Sequence, residues 1–305
     1  MTATTGTATV RESTRRTGPA DGPVSSGRRS LQVAMRSRRA VALLFALVWL
    51  VIVGAPVYYM LVVSAEPASS FLTADPWLPT RGFTGANYVA VFHSGFGRYL
   101  ANSLIVAIGA TALSVVVSLF CSYAIVVRAS RVTGFVFRTF LVGFAVPIQA
   151  LMIPLYVEIL QLHLYDTLIG LILPMAAFSL PITVLVLVNF LRDVPRSLID
   201  AMSIDGAGPF RILWRLVTPI TRPAIVTVVI FDFIAAWNNF LFPLILTQSP
   251  TSATLPLSVF NFEGNHFSNV PVIMASVALS TAPLLLLYLV ARRQIAAGLA
   301  AGFGA

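Results

Sequence analysis

Polar side chains inside the long apolar segments of this sequence are the first candidates for chemistry. They are one carboxylate and three amides: Asp232, Asn238, Asn239 and Gln149. Such groups exchange hydrogen bonds with hydroxyl-rich ligands. At 3.6 residues per turn, Asp232 and Asn239 fall close to one helix face, whereas Asn238 lies about 240° from Asp232. These residues predict either a polar ligand path or hydrogen bonds between membrane helices, which is a common role for buried polar groups.

Residues that would support catalysis or metal binding form no recognisable set. The 3 histidines, His93, His163 and His266, are scattered without the spacing of metal ligands. Cys121 is the single cysteine, and we expect a small buried side chain in an apolar segment. All 20 basic residues are arginine, so the chain lacks the lysine that a P-loop needs. We therefore predict no catalytic residue, no metal and no cofactor bound by this chain.

Membrane-spanning helices must position the polar residues. Hydrophobic residues make up 57% of the chain and charged residues 10%, against about 25% charged in soluble domains. About 20 apolar residues cross a bilayer as a helix. The sequence therefore predicts an all-α, multi-pass membrane protein with a spanning domain over 40–291. Its predicted transmembrane helices are six: 40–63, 99–127, 139–161, 167–191, 223–246 and 271–291.

The distribution of arginine predicts the orientation of these spans. Arginines crowd one side of the membrane, at these places: 1–39, 128–138, 192–222 and 292–305. The other side has only Arg81 and Arg98. Because basic loops stay in the cytoplasm, both termini and the 192–222 loop are expected to be cytoplasmic. The same clustering beside apolar spans argues for membrane lipid, and against nucleic acid, as the partner of a chain with net charge +9.

The two terminal tails are predicted to lie in the cytoplasm. Residues 1–39 are rich in Arg, Ser and Thr without apolar periodicity, so they are expected to be a disordered tail. Residues 292–305 form the predicted C-terminal tail. On the outer side, Glu66 is expected to be a solvated loop charge.

The 192–222 loop has the pattern of two short helices joined at a corner. Pro195 suits a first helical turn, and Leu198, Ala201 and Met202 fall on one helix face. The loop would then form a cytoplasmic two-helix element between spans four and five. An amphipathic segment lying on the bilayer surface would have the same periodicity.

The corner itself is predicted at Asp205-Gly206. Gly206 can take the left-handed conformation that ends a helix, and Asp205 can cap the segment that follows. That segment has an apolar face made of Phe210, Leu213, Trp214 and Val217. Arg211 and Arg215 lie one turn apart on its polar side. Such an elbow would transmit a push from a partner to the adjacent spans.

The same loop resembles the coupling loop, or EAA motif, of ABC importer permeases. The matching residues are, in order, Pro195, Leu198, Asp200, Ala201, Asp205, Gly206, Ala207, Pro219 and Pro223. Ser197, Asp200 and Met202 depart from the pattern, which commonly has Glu, Glu and Ala there. Further signatures between residue 40 and the C-terminus include Asn102-Ser103, Trp237-Asn238-Asn239-Phe240 and the Gly298–Gly302 tail. Taken in order, this set is similar to the carbohydrate-type permeases of the maltose-system MalG family.

The resemblance implies a non-catalytic membrane subunit of an ATP-driven, binding-protein-dependent importer for a sugar or oligosaccharide. Its implied partners are a second homologous permease that completes a heterodimer, two copies of a cytoplasmic ABC ATPase, and an extracytoplasmic sugar-binding protein. ATP and Mg would be bound by the ATPase. In the family the loop docks onto that ATPase, which assigns coupling roles to Asp200, Ala201, Asp205, Gly206, Ala207, Phe210, Arg211 and Pro219. Asp232, Asn238, Asn239 and Gln149 are the candidates for the substrate path.

Competing functions have less support in the sequence. An ion-coupled secondary transporter would need several intramembrane carboxylates or paired broken helices, and only Asp232 qualifies clearly. A membrane-embedded enzyme would need a nucleophile, paired acids or clustered histidines in its spans. A purely structural subunit would not need an Asp-Gly elbow that matches a motor-docking loop.

Overall fold

A computed structural model of the protein describes residues 25–69, 71, 77–78, 82–262 and 269–302. These residues contain helices and connecting loops, without any strand. The α-helices are α1 Ser25–Ser64, α2 Ala86–His93, α3 Phe96–Val127, α4 Arg131–Phe144, α5 Met152–Gln161, α6 Leu168–Arg192, α7 Arg196–Ile204, α8 Pro209–Ile212, α9 Thr218–Ile220, α10 Arg222–Trp237, α11 Leu241–Leu246, α12 Leu255–Ser258 and α13 Val270–Gly302. Two 3₁₀ turns, Ile148–Leu151 and Val259–Phe262, and one π-helical turn, Leu213–Val217, complete the list.

The chain divides into two compact units, Met1–Val57 and Tyr58–Ala305. In the first unit, α1 begins at Ser25, so residues 25–39 are helical where the sequence predicted an irregular tail. Arginine is a good helix former, and a helix that already exists propagates easily into such flanking residues. The remainder of that tail, residues 1–24, lies outside the described residues, as do 303–305 of the predicted C-terminal tail.

Four helices are long and apolar enough to cross a membrane on their own. They are Val41–Ser64, Phe96–Val127, Leu168–Arg192 and Val270–Val290. Each overlaps a predicted span. Two bent helix pairs, Arg131–Phe144 with Ile148–Gln161 and Pro209–Ile220 with Arg222–Trp237, raise the count to six if each pair is one span.

The predicted third and fifth spans are therefore not straight helices. The third bends by 98° between α4 and the turn that begins at Ile148. Pro147 lies at this break in an extended conformation (φ −67°, ψ 127°), and proline both lacks an N–H and disfavours a helical residue before it. The fifth stops at Trp237 and resumes at Leu241, so the predicted 223–246 helix is interrupted at its polar residues.

Helices α3 and α6 form the centre of the second unit. Gly109 permits their close approach, since a Cβ there would lie 2.9 Å from the Ile172 Cδ1 atom. Farther along α3 the contact side is lined with small, fully buried hydroxyl residues: Ser114, Ser118 and Ser122. Small residues let membrane helices pack closely, and the Ser122 hydroxyl also donates to the Val184 carbonyl (3.3 Å).

Side-chain amides tie the loops at one end of the bundle to the helices. The Asn102 amide donates to the carbonyls of Thr251 (2.9 Å) and Ala253 (2.8 Å). The next residue, Ser103, accepts a hydrogen bond from the Leu255 N–H (2.8 Å). At the same end Glu66 is only 2% exposed, so the prediction of a solvated charge at this position is wrong.

Candidate functional site: a docking loop and a polar cavity

The 192–222 loop contains the predicted elbow. Helix α7 ends at Ile204, and Gly206 has φ +78°, the left-handed conformation that the sequence predicted. The turn is closed by hydrogen bonds from the Gly206 N–H to the Ser203 carbonyl (3.1 Å) and from the Ala207 N–H to the Met202 carbonyl (2.9 Å). Residues after the turn lead into α8, a π-helical turn and α9.

Asp205 is the C-cap residue of α7 and does not cap the helix that follows. That N-cap position is held by Gly208, without a side-chain hydrogen bond. The prediction for Asp205 is therefore wrong, because the chain needs two more residues after Gly206 before the backbone returns to helical angles.

Five apolar side chains of the loop anchor it to the membrane helices. The buried residues are Val194, Ile199, Ile212, Leu213 and Val217, with Leu213 and Val217 each only 1% exposed. They belong to one hydrophobic cluster with residues of α3, α6 and α10: Val115, Leu119, Tyr123, Leu187, Leu191, Ala224 and Val228. Full burial of such side chains is worth about 1.5–3 kcal/mol each, so the loop is fixed to the spans by its packing.

The opposite side of the loop presents apolar side chains to the surroundings. Ile204 is 86% exposed and Phe210 69%. Leu198 and Trp214 are also exposed, although each lies on an apolar helix face in the sequence. On α7 the structure buries Ile199, which was not part of the predicted apolar face, and leaves Leu198 exposed. Phe210 and Trp214 make edge contacts with the ring of Phe120, 6.0 and 6.4 Å between centroids.

The sequence did not single out Ile204 as a candidate. Its signal is an apolar residue directly before Asp205-Gly206, at a position where the chain turns back and cannot bury it. A large apolar side chain that is almost fully exposed marks a contact surface when it stands beside others of its kind. Ile204 and Phe210 together give this loop such a surface, which we call the apolar tip.

Charged residues surround the apolar tip. Arg211 and Arg215 are exposed on the polar side, as the sequence predicted. Asp200 is exposed as well, and it lines a cavity of about 140 Å³ together with Arg192 and Arg196. The smaller candidates differ in exposure, since Ala201 and Pro219 are exposed while Ala207 is half-buried.

Asp232 lies in the wall of a mostly apolar cavity in the helix bundle, to which Ser179, Asp232 and Asn239 contribute the polar groups. The carboxylate is 5% exposed, and both of its oxygens lie within hydrogen-bond distance of the Thr183 hydroxyl, at 3.0 and 3.1 Å. The same hydroxyl lies 2.9 Å from the Ser179 carbonyl. Because a hydroxyl has one proton, it donates to one of these oxygens at a time. The cavity, which we call the Asp232 cavity, has a volume of about 370 Å³.

Two of the four sequence candidates line the Asp232 cavity. Asp232 and Asn239 share its wall, as their spacing predicted, with Ser179 and Phe178 on the facing helix α6. The Asn239 Oδ1 accepts a hydrogen bond from the Phe242 N–H (3.0 Å) and so begins helix α11. Asn238 points away and donates to the Ile234 carbonyl (3.0 Å).

Gln149 does not line this cavity, and its neighbour Ile148 does. Thr183 is the residue that the sequence analysis missed. A threonine two residues after Pro181 in an apolar helix gives no distinctive signal, and its partner is 49 residues away along the chain. Among the described residues, no group of three or more His, Cys, Asp or Glu side chains could hold a metal ion.

The structure is that of a multi-pass membrane transport component. It has long apolar helices, two bent helix pairs and a loop whose apolar tip is exposed. Comparison with known families makes this specific. The chain belongs to the family described as binding-protein-dependent transport system inner membrane component, whose profile matches residues 114–300. The predicted class, a non-catalytic ABC importer permease of the cell membrane, is thereby confirmed.

Several proteins that match most of the chain are also described as permease proteins. A putative ABC transporter permease protein (ORF2) of Caldicellulosiruptor sp. (strain Rt8B.4) is 34% identical, over 85% of this chain and 94% of its own. The diacetylchitobiose uptake system permease protein NgcG of Streptomyces coelicolor is 29% identical, over 88% and 90%. The arabinooligosaccharides transport system permease protein AraQ of Bacillus subtilis is 27% identical, over 81% and 89%.

A solved structure has the same fold. It is a chain of a bacterial ABC transporter involved in the import of the acidic polysaccharide alginate. The TM-score is 0.61 at 12% sequence identity, and the match covers 87% of this chain and 98% of the other. A second structure of the alginate transporter, in complex with an alginate pentasaccharide-bound periplasmic protein, has a TM-score of 0.56 at 14% identity, covering 87% and 97%.

Proposed function

We propose that this permease imports a neutral sugar or oligosaccharide, and that its 192–222 loop docks onto a cytoplasmic ABC ATPase. The observation that carries the proposal is the two-sided loop. Its Leu213 and Val217 are buried against the spans, while its Ile204 and Phe210 face outward. A surface of this kind can receive a partner on one side and pass the displacement to the helices on the other.

The assembly follows from this role. A second homologous permease would complete a heterodimer, two ATPase copies would bind ATP and Mg beneath the two loops, and an extracytoplasmic binding protein would deliver the sugar. Six spans with both termini in the cytoplasm, the topology that the arginine distribution predicts, would put the loop where an ATPase can reach it. Relatives named for diacetylchitobiose and arabinooligosaccharide transport support a sugar as the substrate.

The Asp232 cavity is the proposed part of the sugar path in this chain. Its carboxylate, the amide of Asn239 and the hydroxyl of Ser179 offer hydrogen-bond partners for sugar hydroxyls, and Phe178 offers an apolar surface. Among the described residues, no basic side chain lines the cavity. A solitary carboxylate without a cation disfavours an acidic sugar, because like charges at close range repel strongly in a site of low dielectric constant.

Ile204 provides the test of docking. Because this side chain is 86% exposed, Ile204→Asp should leave the fold intact but bring an unpaired charge into the ATPase contact. We expect the ATPase to be lost when the variant complex is purified, and uptake to stop. Ile204→Leu is the matched control and should retain both. Normal ATPase recovery and uptake with Ile204→Asp would contradict the docking role, and uptake without any ATPase would favour an ion-coupled transporter.

A further inference from the structure

An open cavity of about 880 Å³ lies where the end of α3, the start of α4 and the end of α6 meet. Three arginines line it, Arg131, Arg138 and Arg192, and no acidic residue does. We call it the arginine cavity. Within the described part of the chain, none of these three guanidinium groups forms an ion pair. The cavity therefore concentrates positive charge, and the carboxylate of Asp200 lies in the neighbouring cavity that Arg192 also lines.

Local contacts hold that charge in position. The Arg192 guanidinium lies 5.6 Å from the centre of the Phe137 ring, a cation–π contact that orients it. The first turn of α4 forms another wall, where Ser130 and Thr133 make a reciprocal capping box. The amino end of a helix carries partial positive charge, which adds to that of the arginines.

An apolar surface continues from the arginine cavity along α4. This helix has no buried residue, and its Val132, Phe135 and Val142 are 71%, 70% and 68% exposed. Phe135 also lines the cavity. A ligand that fits both parts has an anionic head for the arginines and a hydrocarbon chain for the outer face of α4.

We propose that the arginine cavity binds the headgroup phosphate of an anionic phospholipid in the cytoplasmic leaflet. The proposal uses the cytoplasmic position of the 128–138 loop and is independent of the sugar path and of ATPase docking. Basic pockets between membrane helices on that side are suited to acidic headgroups. A free phosphate would use the arginines but leave the exposed apolar face of α4 without a partner, so the lipid accounts for both observations.

The test is to count lipids that stay bound to the transporter. The complete complex is placed in bilayer discs of equal phosphatidylglycerol and phosphatidylcholine, and native mass spectrometry counts the lipids it retains. Wild type is expected to retain phosphatidylglycerol selectively. Each Arg→Gln change at 131, 138 or 192 should weaken this binding about fivefold. Arg98→Gln removes the same charge outside the cavity and should match wild type.

Further measurements separate the alternatives. A variant that combines all three Arg→Gln changes should lose the selective binding, and Arg131→Gln alone, checked by size-exclusion chromatography, covers the case in which this triple variant does not assemble. Equal retention by wild type and an assembled variant would overturn the proposal, and so would an equal loss in Arg98→Gln, which indicates a diffuse charge effect. Displacement of the lipid by millimolar inorganic phosphate would assign the cavity to free phosphate. If the arginine variants lose the ATPase subunit but retain the lipid, the arginine cavity is a contact site for a protein and the proposal is wrong.

Discussion

The elbow at Gly206 gives the sharpest prediction about coupling. Gly206 has φ +78° and Gly208 has φ −69°, and an added Cβ would meet no atom within 4 Å at either position. Gly206→Ala and Gly208→Ala therefore differ in backbone strain alone. An alanine in the left-handed conformation costs about 1–2 kcal/mol. This cost lowers the ratio of the populations of the native elbow and a relaxed loop by a factor of about 5–30. Alanine at Gly208 is compatible with the native angles.

Coupling is measured as sugar-stimulated ATP hydrolysis and uptake by the complete transporter in proteoliposomes. Gly206→Ala should lower both rates by up to about 5–30-fold. Gly208→Ala should leave both rates within about twofold of wild type. Gly206→Pro, which also removes the N–H that donates to Ser203, should abolish uptake while the chain remains in the membrane. Equal rates for the two alanine variants would refute the reasoning, because they would show that the left-handed turn is not needed for coupling.

Three further predictions concern the bundle and its loops. Thr183→Val keeps the side-chain volume but removes the hydroxyl that donates to the buried Asp232. Thermal unfolding of the purified complex should therefore show a free energy of unfolding lower by about 1–3 kcal/mol, whereas Thr183→Ser should change it little. Burial alone would raise the pKa of the Asp166 carboxyl, but hydrogen bonds from the N–H groups of Gln248 and Ser249 lower it below its ordinary value of 3.8. Its stabilising effect is thus present at neutral pH and lost as pH falls through the lowered pKa; melting temperatures of wild type and Asp166→Asn should converge in acid, and a constant difference would contradict this linkage. Gly170→Ala would bring a Cβ into collision with the Leu164 carbonyl oxygen and should prevent assembly, while Gly97→Ala, with open space around it, should be tolerated. Normal recovery of both variants on size-exclusion chromatography would contradict the close approach of Gly170 to Leu164.

The features that the sequence predicted correctly depend on local patterns. Long apolar segments predicted six spans, of which four are single long helices in the described residues. Gly206 predicted a left-handed turn because few other residues adopt one. Asp232 and Asn239 were expected to share a helix face, and both line one cavity, although α10 ends at Trp237 and Asn239 lies in the break that follows. Family signatures added the class of protein, which composition and periodicity alone could not distinguish from other membrane proteins.

The features that were missed depend on contacts between distant residues. Thr183 meets Asp232 only because α6 packs against α10, and no periodicity reports such a pairing. A proline such as Pro147 indicates a kink in a helix, but the size of the 98° bend there depends on what surrounds the proline. The burial of Ile199 in α7 gave no signal in the sequence because the helix is short and its neighbours decide which side is buried.

The interruption between Trp237 and Leu241 determines where movement can occur in the second unit. On one side of it, α10 shares a hydrophobic cluster with the 192–222 loop, so sliding the loop alone would bring Leu213 and Val217 into contact with water. On the other side, α11 belongs to a different cluster, with Met152 and Ile159 of α5. A force applied at the apolar tip is therefore passed on to α10, because the loop and α10 are packed in the same hydrophobic cluster. We therefore expect displacement of the loop to be taken up in the three residues between α10 and α11, so that the two clusters move relative to each other at segment 238–240.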